Sequence, residues 1–271
     1  MNITFIGGGN MAQAIIGGLL KRGFDADAIG VVEVLPAARE RLGRAFAVRC
    51  FAAPEQAAPF GDLVVMAVKP QQMREAARAV APHLRGELVL SIAAGTRLAD
   101  LSRWLGGHLL LARCMPNTPA LIGAGVTAAY CVEQVTPERR AQVAEVLESV
   151  GALVWVEEEG LLDAVTAVSG SGPAYVFYFI EALEQAAREL GLAPDHARKL
   201  ALSTFAGAAR LAEESGEDVA LLRERVTSRG GTTEAALASM QAGGIKEAIV
   251  RAIRAAEARA KELGEQLGKD I

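Results

Sequence analysis

The sequence predicts an α/β domain followed by an all-α domain, and three observations carry that expectation. Short apolar runs alternate with helical stretches from Ile3 to about Val156. After about Leu162 no convincing strand recurs, and Ala-, Leu- and Glu-rich stretches follow one another at helical spacing. A chain of 271 residues, 51% hydrophobic and 22% charged, has the apolar material for a sizeable core and the length of about two domains. The expected boundaries are 1–164 and 165–271.

The strand candidates are Ile3–Ile6, Ile29–Val34, Ala47–Phe51, Leu63–Val68, Leu88–Ile92 and Leu109–Cys114, with Val126–Cys131 and Leu153–Val156 following. Helical patterns lie between them at Met11–Arg22, Pro36–Arg44, Gln72–Leu84 and Pro137–Val150. Continuous apolar strands alternating with helices imply a mainly parallel sheet covered on both faces. The helical half reads as Gly172–Leu190, Pro194–Glu214, Val219–Val226, Thr233–Ala242 and Ile245–Leu267. Gly191 and Pro194 punctuate the first two, and Ser215–Gly216 closes the second. In the first of these, Val176, Phe177, Phe179, Ile180, Leu183 and Leu190 cover more than one narrow stripe. Such a helix is central to its own domain or packed on another subunit, so a homo-oligomer is expected.

Composition excludes several classes. The net charge is −4 and neither half is basic, which argues against a nucleic-acid partner. Cys50, Cys114 and Cys131 show neither metal spacing nor a disulfide framework, so no metal is expected. No apolar run is long enough to span a membrane, and no signal segment is apparent. The expected setting is the cytoplasm. His83, His108 and His196 lie outside every motif and receive no role.

The first strand leads directly into Gly7-x-Gly9-x-x-Ala12. In this pattern Gly7 permits the tight turn, Gly9 lets backbone approach a pyrophosphate, and Ala12 lets helix and strand pack closely. The helix N-terminus behind it offers free N–H groups to phosphates. This is a Rossmann-type dinucleotide fingerprint. Glu33 follows about twenty residues on, the usual distance of the acid that bonds the adenosine ribose. An acid there favours NADH, because a 2′-phosphate would meet like charge. Lys69 and Pro70 end the fourth strand where cofactor-facing loops emerge. In "RCMPNTPA", Pro116 and Pro119 stiffen the polar turn that carries Asn117 and Thr118.

The segments "IGGGNMAQAI", "AVKPQQM", "RCMPNTPA", "SGSGPAYVF" and "VTSRGGTTEAAL" run in order along nearly the whole chain. Together they resemble the pyrroline-5-carboxylate reductase family, whose members reduce a cyclic imine to proline in the final step of proline biosynthesis. The resemblance implies an N-terminal Rossmann domain that binds NADPH or NADH. It also implies a helical C-terminal domain that dimerises and assembles further into rings, a decamer among them. It makes Ile6, Gly7, Gly8, Gly9, Asn10 and Met11 the phosphate loop, and Ala67, Val68, Lys69 and Pro70 a second cofactor loop. Met115 to Pro119, with Pro116 and Asn117, would line the nicotinamide end. Ser169 to Pro173, with Ser171, would start the helix beneath the substrate. Ser228, Gly230, Gly231, Thr232 and Thr233 would hold the substrate, Thr233 nearest its ring nitrogen. Many members end the second strand with polar or basic residues, whereas this chain has Glu33, which favours NADH tolerance and leaves the choice of cofactor open.

The chemistry fits the residue types. A nicotinamide supplies hydride, so the protein mainly orients. The Gly230–Gly231 pair suits a carboxylate-binding nest, and Ser228 adds a hydroxyl. Thr233 would hydrogen-bond the imine nitrogen and is the one catalytic candidate. A plain structural reading of the same stretch makes Thr232 a helix N-cap. A β-hydroxyacid dehydrogenase is the rival enzyme, but such enzymes use a lysine on the long interdomain helix, and this chain has none between Lys69 and Lys199. A nucleotide-sensing protein without catalysis is the rival outside enzymes.

Overall fold

The computed structural model describes residues 1–269. Contacts divide the chain into two compact units, residues 1–171 together with the chain from Ala256 onward, and residues 172–255.

The first unit is built on one eight-stranded sheet: β1 (Ile3–Ile6), β2 (Ile29–Val32), β3 (Arg49–Phe51), β4 (Leu63–Met66), β5 (Leu88–Ser91), β6 (Leu111–Met115), β7 (Gly125–Cys131) and β8 (Gly151–Trp155). The spatial order is β3-β2-β1-β4-β5-β6-β7-β8. Every neighbouring pair is parallel except β6 with β7. Strands β1, β2, β4 and β5 are buried along their whole length, which is why they read as unbroken apolar runs. At the β7 edge, β8 alternates between half-buried and exposed positions.

Helices α1 (Asn10–Lys21), α2 (Pro36–Phe46), α3 (Pro54–Ala57), α4 (Met73–Val80), α5 (Leu98–Trp104), α6 (Pro137–Glu148) and α7 (Leu161–Val165) belong to this unit. Proline sits in the first turn of α2, α3 and α6, where its missing N–H costs nothing. One face of the sheet packs on Ile15, Ile16 and Leu19 of α1 and on Val143, Val146 and Leu147 of α6. The other packs on Met73, Ala77 and Val80 of α4 and on Leu101 and Trp104 of α5. Each fully buried Leu, Ile or Val contributes roughly 1.5–3 kcal/mol.

Several elements are shorter than their apolar runs. β2 stops at Val32 and β4 at Met66, because neighbouring partners run out there. The residues beyond become loops, with Val34 and Leu35 71% and 63% exposed. The expected helix Gln72–Leu84 is α4 flanked by single 3₁₀ turns, Pro70–Gln72 and Ala81–His83. Pro82 lacks the N–H that would continue α4. Ala47 begins no strand, since it closes α2 in the left-handed region at φ 56°.

The second unit is helical throughout: α8 (Gly172–Glu189), α9 (Pro194–Ser215), α10 (Val219–Arg225), α11 (Thr232–Ala242) and the start of α12 (Ile245–Gly268). Within it, Phe179 of α8 meets Phe205 of α9 with ring centroids 6.5 Å apart. The end of α12 lies in the first unit, where Gly264 approaches Gly95 and Arg97, and Arg103 Nη2 donates to the Gly268 carbonyl at 2.8 Å.

Candidate active site

The strand order reverses between β1 and β4, and ligands of open α/β sheets bind beyond the carboxyl ends of the strands at such a point. Gly7 turns the chain there with φ 101°, and its N–H donates to the Val32 carbonyl at 2.8 Å. A Cβ on Gly7 would stand 2.8 Å from the Ala67 carbonyl oxygen, so only glycine fits. A Cβ on Gly9 would meet nothing within 4 Å, so that face of the loop is open to a ligand. Gly9 caps α1 without a side-chain bond, and the first intrahelical bond is Gln13 N–H to Gly9 C=O at 2.9 Å. The N–H groups of Asn10, Met11 and Ala12 therefore remain free for an anion. Gln13 Nε2 holds the loop by donating to the Gly8 carbonyl at 2.8 Å.

A cavity of about 500 Å³ opens on this loop, lined by Gly7, Gly9, Glu33, Ala67, Lys69 and Gln72 among others. Ile6, Gly8 and Val68 also face it, whereas Asn10, Met11, Pro70, Pro116 and Asn117 are not among its walls. Glu33 is held in place: Oε2 accepts from Gly8 N–H at 3.1 Å and Oε1 from Leu35 N–H at 3.0 Å. Arg39 folds back over the same strand end, its Nη1 donating to the Glu33 and Val34 carbonyls at 2.7 and 2.9 Å. Arg41 is exposed. Lys69 is exposed and has no ion-pair partner among the described residues. The cradle and its free donors suit the pyrophosphate and ribose of a nicotinamide dinucleotide.

A larger cavity, about 620 Å³, lies at the opposite, N-terminal ends of the strands. Its charged groups are partly committed: Asp62 accepts from Asn2 N–H at 2.7 Å and Arg139 donates to Gly86 C=O at 2.8 Å. It lacks a glycine turn beneath a long helix N-terminus, so size does not decide between the two.

Beyond β6, Pro116 and Asn117 are buried and Thr118 is exposed. Asn117 Oδ1 accepts from Val126 N–H at 3.0 Å, and its Nδ2 donates to the Ser169 carbonyl at 3.2 Å. Ser169 belongs to a π-helical turn, Thr166–Gly170, closed by Ser171 N–H to Thr166 C=O at 2.8 Å. Ser171 is half-buried beside it.

Sequence reasoning missed the ion cluster beneath this region. Arg113, 2% exposed, donates to Glu159 at 2.9 Å and lies 3.8 Å from Asp163, which also binds Arg97 at 2.6 Å. The one signal was an arginine inside an otherwise apolar strand; its acidic partners sit far along the chain. Burial pushes the Cys114 thiol well up and Cys131 up to about 11, and it raises Cys50 as well, so none supplies a thiolate at neutral pH.

In the second unit, the stretch 228–233 opens α11. Gly231, not Thr232, is the N-cap, because the helix begins one residue earlier than its apolar pattern, and no side chain caps it. Gly230 takes φ 73°. Its N–H donates to Glu234 Oε2 at 2.6 Å, and Gly231 N–H donates to the Ser228 carbonyl at 3.0 Å. The first intrahelical bond is Ala235 N–H to Gly231 C=O, which leaves the N–H groups of Thr232 and Thr233 outside the ladder. Ser228 and Thr232 are exposed and Thr233 is half-buried.

These features define a dinucleotide-binding α/β oxidoreductase with a helical second unit. Residues 2–95 match the family model described as NADP oxidoreductase, coenzyme F420-dependent, and residues 159–263 match the one described as pyrroline-5-carboxylate reductase dimerisation. A pyrroline-5-carboxylate reductase of Pseudomonas aeruginosa is 44% identical over 98% of both chains, and one of Synechocystis is 39% identical over 98% of this chain and 99% of its own. The structure of such a reductase from Coxiella burnetii superposes with a TM-score of 0.92 at 38% identity, covering 97% of this chain and 98% of that one. A Plasmodium falciparum relative solved with NADP bound gives 0.87 at 27% identity over the same shares. The chain belongs to the pyrroline-5-carboxylate reductase family and is a nicotinamide-dependent oxidoreductase.

Proposed function

We propose that the protein reduces 1-pyrroline-5-carboxylate to L-proline, the last step of proline biosynthesis, in the cytoplasm and as a homodimer that assembles further. The observation that carries this is the glycine cradle at the reversal of strand order, open at Gly9 and backed by the free N-terminus of α1. Bound there, the cofactor supplies hydride to the imine carbon. Hydride would add to the carbon of the protonated imine, the C=N π pair would move to nitrogen, and the nitrogen would keep the proton it already carries, giving the ring amine, which takes a further proton from solvent.

Gly7, Gly9 and the first N–H groups of α1 take the pyrophosphate, and Glu33 takes the ribose hydroxyls. Ala67, Val68, Lys69 and Pro70 border the cofactor, and Met115 to Pro119 border its nicotinamide end. NADPH or NADH is the donor, and Glu33, which would repel a 2′-phosphate, favours tolerance of NADH. The substrate carboxylate is held at the start of α11. Ser228 Oγ and the N–H groups of Thr232 and Thr233 are the donors left over, since Gly230 and Gly231 donate within the loop. Glycine at 230 and 231 then serves the turn itself. Thr233 Oγ1 bonds the ring nitrogen and steadies its proton, and Ser171 is a further substrate-binding residue. Orientation of this kind is worth roughly 7–11 kcal/mol, enough to make a strong acid unnecessary.

The decisive assay follows nicotinamide absorbance with pyrroline-5-carboxylate, using NADH and NADPH separately. Oxidation with proline as product supports the reading; cofactor binding without oxidation points to the sensor alternative. Thr233→Ala should lower turnover by about a hundredfold, the scale of lost orientation or proton help, with cofactor affinity nearly unchanged. An unchanged steady-state rate would remove Thr233 from the mechanism.

A further inference from the structure

We propose that Asn117 is a positioning residue for hydride transfer: it ties the Met115–Pro119 loop to the π-helical turn Thr166–Gly170 and does not itself touch the cofactor. The inference rests on the reading above that this loop borders the nicotinamide.

Asn117 is 8% exposed, and both ends of its amide are committed to backbone. The orientation of the amide is unambiguous, because Val126 N–H only donates and the Ser169 carbonyl only accepts. The Ser169 carbonyl has a specific need for this donor. In a continuing α-helix it would accept from the residue four positions on, which is Pro173, and proline has no N–H. Asn117 Nδ2 fills that vacancy from outside the helix. Its other end fixes the entry to β7 through Val126.

Both bonded segments stand on one frame. β6 leads into the loop and α7 leads into the π-helical turn, and Arg113 of β6 is bound to Glu159 and faces Asp163 of α7 in the buried ion cluster. A Cβ on Gly170 would fall 2.5 Å from Met115 Cε, so the turn and the loop are in intimate contact. Single π turns inside helices recur at functional sites. Here the turn presents the Ser169 carbonyl to the loop, and the flanking prolines let a single amide set the loop's position.

The test uses the full-length enzyme with Asn117→Ala and Asn117→Asp. Aspartate still fills the site and still accepts from Val126 N–H, but cannot donate to Ser169. Three quantities are read: the Kd of NADH by titration, the emission of bound NADH, and the deuterium isotope effect on kcat with NADH labelled at the transferred hydrogen. For both variants we expect NADH Kd within about twofold of the parent, altered emission, kcat lower by about tenfold or more, and a larger isotope effect, as when a reacting group is displaced by a fraction of an ångström. Thermal melting confirms that each variant is folded, and Asn117→Asp carries the test if Asn117→Ala is not. The inference is overturned if Kd weakens in proportion to kcat, which would mean direct contact with the cofactor. It is equally overturned if Asn117→Asp behaves like the parent, or if kcat falls with an unchanged isotope effect. Should the parent enzyme fail to oxidise NADH with pyrroline-5-carboxylate, the functional reading falls. NADH Kd and emission in the two variants then still decide whether Asn117 contacts the cofactor or only holds the loop beside it.

Discussion

Glu33 shows how one side chain serves both fold and ligand. Its carboxylate accepts from Gly8 and Leu35 N–H groups, so it stiffens the phosphate loop as well as the ribose pocket. Replacing it with alanine removes two hydrogen bonds, a cost of about 1 kcal/mol each, and should weaken both cofactors. The informative quantity is therefore a ratio. Glu33→Ala should shift kcat/KM toward NADPH relative to NADH by on the order of tenfold, as the like charge opposite a 2′-phosphate disappears and Arg39 remains beside the site. A shift toward NADH would show that Glu33 does not face the 2′ position. Glu33 was readable because its spacing from the glycines is fixed by one strand–helix–strand unit. Arg113 was not, because Glu159 and Asp163 reach it only through the order of the sheet. The carboxylate of Glu234 on Gly230 N–H was equally hidden, since nothing in the run of residues says which donor a neighbouring acid will take.

The phosphate loop separates folding from binding within three residues. Gly7→Ala would force φ 101° on an L-residue and drive Cβ against the Ala67 carbonyl. It should lower stability by about 1–3 kcal/mol and abolish tight cofactor binding. Gly9→Ala meets nothing in the protein, so its melting temperature should stay at the parent value while NADH affinity drops at least about tenfold, because the added methyl stands where phosphate would approach. Melting curves and NADH titration on both variants check this. Equal affinity loss without any difference in stability would refute the strain at Gly7, and full affinity in Gly9→Ala would move the pyrophosphate elsewhere. The ion cluster gives a second contrast. Asp163→Ala would leave Arg97 without its carboxylate and Arg113 with Glu159 alone, and should cost roughly 1–3 kcal/mol, read as a lower melting temperature. Elements with strong periodicity and clear punctuation, such as β1, α1, α8 and α9, could be read almost to the residue. Short elements could not: α5, α7 and the π-helical turn are each seven residues or fewer, too brief for a period to show, and their form depends on what they pack against.

The two units bury their apolar residues very differently. The first holds two extensive core clusters, one on each face of its sheet. In residues 172–255 the buried apolar side chains are Ile180, Ala197 and Ala201, while Phe177, Tyr178, Leu190, Leu211 and Val226 are 60%, 72%, 85%, 57% and 65% exposed. Three buried side chains, two of them alanines, cannot offset the ordering of more than eighty residues at about 1–2 kcal/mol each. The helices must gain burial from other surface, and exposed apolar area on this scale marks an association surface. The match of residues 159–263 to a dimerisation family names the class of contact. The wide apolar faces read from the sequence fit the homo-oligomer proposed above. Phe177→Asp places a charge in the middle of the exposed run Val176–Tyr178 and should dissociate the oligomer. We expect sedimentation to report a monomer at micromolar concentration, with helical circular dichroism reduced as the second unit loosens and turnover lost. The glycine cradle lies wholly within residues 1–171, so NADH binding should survive in the same sample. A folded Phe177→Asp monomer with parental helix content would mean that the second unit is stable without a partner. A variant that remains oligomeric would place the interface on another helix face.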